Sequence, residues 1–216
     1  MRIFGALSFV LVFFAATAFG QQSALFLSLG KPLATKKSTA TSGSSYLSDE
    51  FKKAEVLTNS GKKLPDLPLR YDILNQRVEY STDNNVYDVT DSVRSFTFDA
   101  SENHTGKFVK YNSPDGKVSG FLEEIYTGKT NLYKLNTIKK TSEENFYTKQ
   151  VTQKYTPNNI YFASSGDKFT KIGTSKKDFL NAFKGNQKVK AFLNSTDVDL
   201  NSDNSIISLG KLIDQQ

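Results

Sequence analysis

Alternating apolar and polar residues are clearest in Leu69–Tyr80, which reads LRYDILNQRVEY. In its first half, three apolar residues alternate with Arg70 and Asp72, which is the period-two pattern of a strand with one buried face. Asn75-Gln76 offers a turn, although a weaker one than Asn-Gly, and two further apolar residues then resume the same face. The segment therefore predicts a β-hairpin.

Similar short strands recur between Phe51 and Ile172, where turn-type sequences separate them. The predicted strands are Ala54–Thr58, Leu69–Ile73, Arg77–Ser81, Val86–Val89, Val93–Phe98, Lys107–Tyr111, Ser119–Tyr126, Asn131–Ile138, Phe146–Gln153, Ile160–Ala163 and Phe169–Ile172. No helix-length insertion separates them, which argues against a parallel α/β sheet. The best hairpin connections, Ser113–Gly116 and Thr127–Lys129, favour an antiparallel meander.

The period changes after Gly173, where apolar residues recur at helical spacing in three short segments. These predicted helices are Lys176–Lys184, Lys188–Leu193 and Ser205–Asp214. Helices this short are unstable alone, so we expect them to pack on the sheet. The predicted fold class is α+β, mostly β, with a curved sheet or partly closed barrel and short C-terminal helices packed on it.

Four segments follow from these patterns: a signal peptide over 1–20, a flexible tether over 21–45, an antiparallel β domain over 46–173 and a packed helical segment over 174–216. The first segment has a basic start, then an apolar run, and then small residues at both positions that a signal peptidase recognises. This pattern predicts cleavage before Gln21. The tether is rich in Ser, Thr, Lys and Gly. No later segment has 18 continuous apolar residues, so no transmembrane helix is expected after the leader.

Composition narrows the chemistry and the choice of partners. The absence of cysteine excludes disulfides, thiolate metal sites and cysteine nucleophiles. The net charge of +6 becomes +5 once a leader containing Arg2 is removed, with 27 basic residues against 22 acidic ones. Lysine pairs are scattered along the chain, which is typical of a solvated surface, or of weak attraction to anionic glycans or lipid headgroups. Nucleic acid is not an expected partner of an exported protein.

Three stretches carry a family resemblance. They are the hairpin LRYDILNQRVEY, the strands FLEEIYTGKTNLYK and the lysine-rich helical end SKKDFLNAF…VKAFLN. In this layout the chain resembles a group of exported, β-rich Bacteroidota proteins whose function is uncharacterised. The resemblance covers most of residues 50–216. It implies an exported, envelope-associated protein and supplies no active-site residues.

Few residues offer reactive chemistry. His104 is the only histidine, so a histidine-based triad or metal site lacks partners, and a loop position is the simpler interpretation. Glu123 and Glu124 are neighbours on a predicted strand, so they face opposite sides and cannot form a carboxylate pair by themselves. No phosphate-binding loop and no nucleophile elbow is present.

One acidic loop offers a weak candidate metal site, with alternating oxygen ligands at Asp197, Asp199, Asn201 and Asp203. The spacing resembles the start of a calcium loop, but Ser202 stands where a flexible glycine is needed, and the closing acid would fall on Ser208. The alternative is an acidic loop that caps the last helix and interacts favourably with its dipole.

We therefore expect an exported, non-enzymatic protein without a cofactor and without catalytic residues. Its role would be binding or structural in the cell envelope, with another envelope protein or a glycan as partner. Two alternatives stay open: an outer-membrane β-barrel, and an exported hydrolase that uses carboxylates from separate strands. The expected location is the periplasm, the cell surface or the medium.

Overall fold

The computed structural model describes residues 30–33, 41–98, 106–165, 168–195 and 198–215. The strands within these ranges are β1 (Lys31–Pro32), β2 (Thr41–Ser42), β3 (Lys52–Thr58), β4 (Lys63–Asp72), β5 (Arg77–Thr82), β6 (Asn85–Asp88), β7 (Val93–Phe98), β8 (Lys107–Asn112), β9 (Ser119–Tyr126), β10 (Asn131–Leu135), β11 (Ile138–Glu144), β12 (Val151–Pro157), β13 (Ile160–Ser165) and β14 (Lys168–Gly173). The helices are α1 (Lys176–Ala182), α2 (Gln187–Asn194) and α3 (Asp203–Asp214). The predicted leader and the candidate His104 lie outside the described residues.

Eleven of the described strands form one large antiparallel sheet, the other three form a small sheet in the order β11-β12-β2, and the predicted fold class is confirmed. The strand order of the large sheet is β1-β6-β5-β4-β3-β7-β8-β9-β10-β13-β14, and its two edge strands do not pair with each other in the described part of the chain. The order departs from a simple meander twice. After β4, β5 and β6, the chain returns to place β7 against β3, and the β11–β12 hairpin leaves the sheet between β10 and β13.

The sheet curls strongly because aromatic residues of distant strands meet on one face. Strands β4 and β9 are separated by three strands, which in a flat sheet would place them roughly 19 Å apart. Nevertheless the Phe121 N–H on β9 donates to the Tyr71 hydroxyl on β4 at 3.3 Å. The Tyr71 ring also lies within 5.7–5.8 Å of the rings of Phe96, Phe108 and Phe121, measured between centroids. These contacts show that the sheet curls around an aromatic core.

The three predicted helices are confirmed, with ends that differ by one or two residues. Helix α1 begins with a capping box, in which Ser175 and Asp178 satisfy each other's backbone N–H groups. The helices bury apolar faces against Ile125, Leu132 and Tyr161 of the sheet. None of the described helices has the length and apolar character that a membrane crossing requires.

Helix α3 is fixed at both ends to the β9–β10 hairpin. At its start, both carboxylate oxygens of Asp203 accept hydrogen bonds from Lys134 on β10, at 2.8 and 2.9 Å. At its end, Asp214 accepts from the Tyr126 hydroxyl at 2.9 Å and from the N–H groups of Lys129 and Thr130. Burial alone would raise the pKa of Asp214, but these hydrogen bonds outweigh it and lower the pKa below its usual value.

The pattern around residues 138–157 was assigned wrongly from the sequence. The predicted strand Asn131–Ile138 ends at Leu135, and the predicted strand Phe146–Gln153 begins in a turn. Instead β11 and β12 form a hairpin that pairs residue by residue from Ile138–Pro157 to Glu144–Val151. Strand β11 carries only polar residues after its first position, so no alternation marked it.

Two short strands lie within the segment for which a tether was predicted. Strand β1 pairs with β6 at one edge of the main sheet, and β2 pairs in parallel with β12. Farther along, residues 45–47 lie beside the end of β4, where Leu47 N–H donates to the Tyr71 carbonyl and Leu74 N–H to the Ser45 carbonyl. The chain that enters the β domain is therefore held against the β4–β5 hairpin.

Candidate functional site

A cavity of about 280 Å³ opens between the two sides of the curled sheet. One wall comes from the chain before β3, from the start of β3 and from β4, with Leu47, Glu50, Lys52 and Arg70. The opposite wall carries Glu123 of β9, Lys134 of β10 and Asp203 of α3. Between the walls lie the aromatic residues Tyr71, Phe98 and Phe108. We call this space the charged cavity, because three acidic and three basic side chains surround an aromatic patch.

The centre of the second wall is a buried ion pair around Lys134, whose side chain is 8% exposed. Its ammonium group lies 3.1 Å from Glu123 and 2.8 Å from Asp203. Asn136 donates a further hydrogen bond to the same Glu123 oxygen at 2.7 Å. Because a buried charge is costly when unpaired, this network holds β9, β10 and α3 in one arrangement.

The first wall is held by a second charge network on the β4–β5 hairpin. Arg70 donates to Glu79 at 2.7 Å, and Arg77 lies 3.1 Å from Asp72 and 2.9 Å from Glu79. The Arg70 guanidinium also lies over two aromatic rings, 4.0 Å from the centroid of Tyr46 and 4.4 Å from that of Phe51. Arg70 is thereby fixed at the cavity edge.

Tyr71 connects the two walls. Its hydroxyl donates to the Gln76 side chain at 2.5 Å and accepts from Phe121 N–H. Gln76 in turn donates to the Asn136 carbonyl at 2.8 Å, which ties the β4–β5 turn to the end of β10. Burial raises the pKa of Tyr71 far above its ordinary value, so the hydroxyl stays protonated and serves as a structural hydrogen-bond group.

A second, larger space of about 540 Å³ lies on the other side of Leu47. Its lining is uncharged and rich in amides and hydroxyls: Ser44, Tyr46, Asn136, Thr137, Asn159 and Asn201, together with apolar side chains. Leu47 lines both spaces and is one of the large apolar side chains that the fold leaves exposed. We call this second space the neutral cavity.

The residues proposed from the sequence fall in different places. Glu123 pairs with Lys134, whereas Glu124 pairs with Lys107 at 3.0 Å on the other face of β9, as strand alternation requires. In the acidic loop, Asp199 accepts from the backbone and side chain of Asn201, and Asp203 pairs with Lys134. Asp197 lies outside the described residues. Within the described ranges, no group of three or more His, Asp or Glu residues is placed to hold a metal ion.

Sequence reasoning missed the two basic residues that organise the walls. Lys134 stands in NLYKL, where a charged side chain interrupts an otherwise apolar strand and points inward. That interruption was a usable signal, because lysine is almost never fully buried unless it is paired. Arg70 gave no such signal, since its position matched the exposed side of the predicted hairpin.

A scan against protein-family models and searches of curated proteins and solved structures found no significant match to this chain. The interpretation of the site therefore depends on its own geometry and chemistry. That chemistry suits recognition: fixed charges of both signs surround an aromatic patch in a concave site. The carboxylates of Glu123 and Asp203 share one ammonium group, an arrangement that orders the wall.

Proposed function

We propose that the protein is an exported, non-enzymatic binding protein and that its ligand occupies the charged cavity. The observation that carries this proposal is the convergence of Arg70, Lys52, Lys134, Glu123 and Asp203 around aromatic side chains in one concave space. Pockets that combine apolar surface with a few positioned polar groups are the usual form of small-ligand sites.

The ligand class follows from the balance of charge in the lining. A zwitterion can place its carboxylate near the basic side chains Lys52 and Arg70, and its ammonium group near the acidic side chains. The partly exposed ring of Phe98, which packs against the buried Phe108, provides contact for an apolar side chain between the two charged ends. A short peptide with free termini has this combination of groups.

Export is the second part of the proposal, and the leader-like pattern of residues 1–20 supports it. Fractionation of host cells, with mass spectrometry of the mature N-terminus, tests it. A chain that starts at Gln21 outside the cytoplasm would support export. A full-length chain retained in the cytoplasm would contradict it.

Binding is tested by thermal-shift and calorimetric measurements with a panel of di- and tripeptides with free termini. The same peptides with acetylated and amidated ends serve as ligand controls, because blocking removes the charges while the apolar groups stay. We expect stabilisation by the free peptides that is lost on blocking. Stabilisation by neutral oligosaccharides alone would contradict the proposal.

A matched pair of lysine variants locates the site. Lys52 lines the charged cavity, whereas its neighbour Lys53 points to the other side of β3, and both side chains are exposed. We expect Lys52→Glu to weaken peptide binding about fivefold, as expected for loss of one exposed charge contact. Lys53→Glu changes the net charge equally and should leave binding unchanged. Equal effects of the two variants would mean that the ligand does not use this cavity.

A further inference from the structure

The tip of the β11–β12 hairpin exposes three large apolar side chains. Phe146 is 77% exposed, Tyr147 90% and Val151 53%. Leu47, at 38%, is the other exposed large hydrophobic residue in the described part of the chain. Strand β11 is polar after Ile138, and the strand partner of the hairpin in the described ranges is the two-residue strand β2. Aromatic residues are thus concentrated at the end of a hairpin that contributes little to the core.

The turn that carries these rings is ordered by its own hydrogen bonds. Asn145 N–H donates to the Gln150 carbonyl and Lys149 N–H to the Asn145 carbonyl, both at 2.9 Å. The Asn145 side-chain oxygen accepts from the N–H groups of Tyr147 and Thr148, each at 3.0 Å. The backbone therefore presents the rings in a preformed geometry, so a binding event does not have to order the turn.

The hairpin as a whole is positively charged, although the carboxylates nearest the tip are paired: Glu144 lies 3.4 Å from Lys149, and Glu143 lies 3.6 Å from Lys154. The hairpin carries four lysines and two glutamates, a net charge of +2. The ammonium group of Lys149 lies 5.1 Å from the centroid of the Phe146 ring. Lys139 and Lys140 are exposed at the start of β11. The excess positive charge is therefore that of Lys139 and Lys140, on the part of the hairpin behind the tip, and it is complementary to a surface with anionic headgroups.

The small size of the patch distinguishes between kinds of partner. A stable protein interface buries about 800 Å² on each side and takes 20–30 residues, more than one hairpin tip can supply. Insertion at a bilayer interface needs only a few amphipathic aromatic side chains, because these sit at the headgroup level. A narrow, aromatic tip on a hairpin of net positive charge favours lipid.

We propose that the hairpin tip inserts into the interfacial region of a lipid surface that carries anionic headgroups. Phe146 and Tyr147 enter the boundary between headgroups and acyl chains. Lys149 stays at headgroup level, and Lys139 and Lys140 add long-range attraction. This contact is separate from the charged cavity, so a ligand site can exist whether or not the tip binds lipid.

The absence of tryptophan from the sequence makes a direct test possible. Tyr147→Trp places a single tryptophan at the tip, and Pro114→Trp places one at the exposed β8–β9 turn as a matched control. With vesicles that contain phosphatidylglycerol, Tyr147→Trp should show a blue-shifted, more intense emission. The control should not change. No spectral change at the tip with any vesicle, or an equal change in both variants, would overturn the proposal.

Vesicle flotation separates the contributions of the rings and the charges. Phe146→Ser combined with Tyr147→Ser should abolish flotation with anionic vesicles, whereas Tyr147→Phe should retain it. Lys139→Gln or Lys140→Gln should weaken binding about fivefold, the effect of one basic residue near an anionic surface. Flotation of the double serine variant at the wild-type level would contradict the proposal. Tip-dependent capture of a protein without any vesicle binding would also contradict it.

Discussion

Strands β9 and β11 are both paired antiparallel strands, but they carry opposite kinds of sequence. Strand β9 reads SGFLEEIY, and six of its eight residues are buried, including both glutamates. Strand β11 reads IKKTSEE, and six of its seven residues are exposed. The first contributes to the core, to the charged cavity and to the attachment of α3. The second depends on backbone pairing and on its turn.

This difference shows that the residues that stabilise the fold and the residues available for contact with a partner can lie in separate regions of one chain. In the curled sheet, a change of side chain alters packing or leaves a buried charge unpaired. In the hairpin, the same change leaves the core untouched, because few hairpin side chains are buried. The hairpin is therefore free to carry exposed aromatic residues whose use is contact with a partner.

The largest expected difference is between two phenylalanines. Phe96 is buried and stacks on Phe108 with centroids 4.7 Å apart, whereas Phe146 is exposed at the tip. We expect Phe96→Ala to lower the free energy of unfolding by about 3–5 kcal/mol, and Phe146→Ala to change it by less than about 0.5 kcal/mol. Denaturant titration measures both. If Phe96→Ala does not fold, Phe96→Leu should still show a smaller loss; equal effects at the two positions would contradict the comparison.

Two lysines provide the next comparison. Lys134→Ala would leave Glu123 and Asp203 without their shared ammonium group and should cost about 3–5 kcal/mol. Lys140→Ala on the exposed strand should stay within about 0.5 kcal/mol of the wild type. A mild effect of Lys134→Ala in the same titration would mean that the buried ion pair does not hold α3 to the sheet.

A glycine pair tests how closely α3 approaches β9. A Cβ atom at Gly210 would lie 2.4 Å from the Tyr126 ring, whereas one at Gly185 would have no atom of the described residues within 4 Å. Alanine normally stabilises a helix relative to glycine. At Gly210, however, the overlap with the ring should make Gly210→Ala destabilising and lower the free energy of unfolding by about 1–3 kcal/mol. Gly185→Ala should be neutral or slightly stabilising. A stabilised Gly210→Ala protein would show that the helix does not sit on the ring.

The smallest expected effect is a pH dependence at Asp214. The pKa of Asp214 is lowered in the folded state, so its contribution to stability is present above its ordinary value of 3.8. That contribution is lost as the pH falls through the lowered, folded-state pKa. We therefore expect Asp214→Asn to reduce the melting temperature at neutral pH, and the difference from the wild type to shrink in acid. A difference that stays constant between neutral pH and pH 3 would contradict this role.

The parts of the fold that follow alternation could be predicted from the sequence. Val93–Phe98 and Ser119–Tyr126 match the observed strands residue for residue. The first half of β4 could not be found this way, because its sequence KLPDLP contains two prolines. Residues 63–68 pair with β3 alone, since the pairing with β5 begins at Leu69, so one side of this segment tolerates proline.

The candidate site could not be predicted from the sequence for a different reason. Its walls meet through the contact of Tyr71 with Phe121, two residues that are 50 positions apart. No local pattern encodes how far a sheet curls, because curvature depends on packing between strands that are not neighbours. Glu123 and Asp203 were candidates from the sequence, but for other roles, and Lys134, a charged residue between apolar neighbours, was the local signal that sequence reasoning missed.

Hydrogen–deuterium exchange with mass spectrometry tests most directly the central claim that the curled sheet is one cooperative unit and the hairpin a separable element. Amides of β9 and β10 should exchange last, through global unfolding, and those of residues 145–150 far earlier through local opening. A hairpin tip as protected as β9 would contradict the claim, because it would place the two regions in the same cooperative unit.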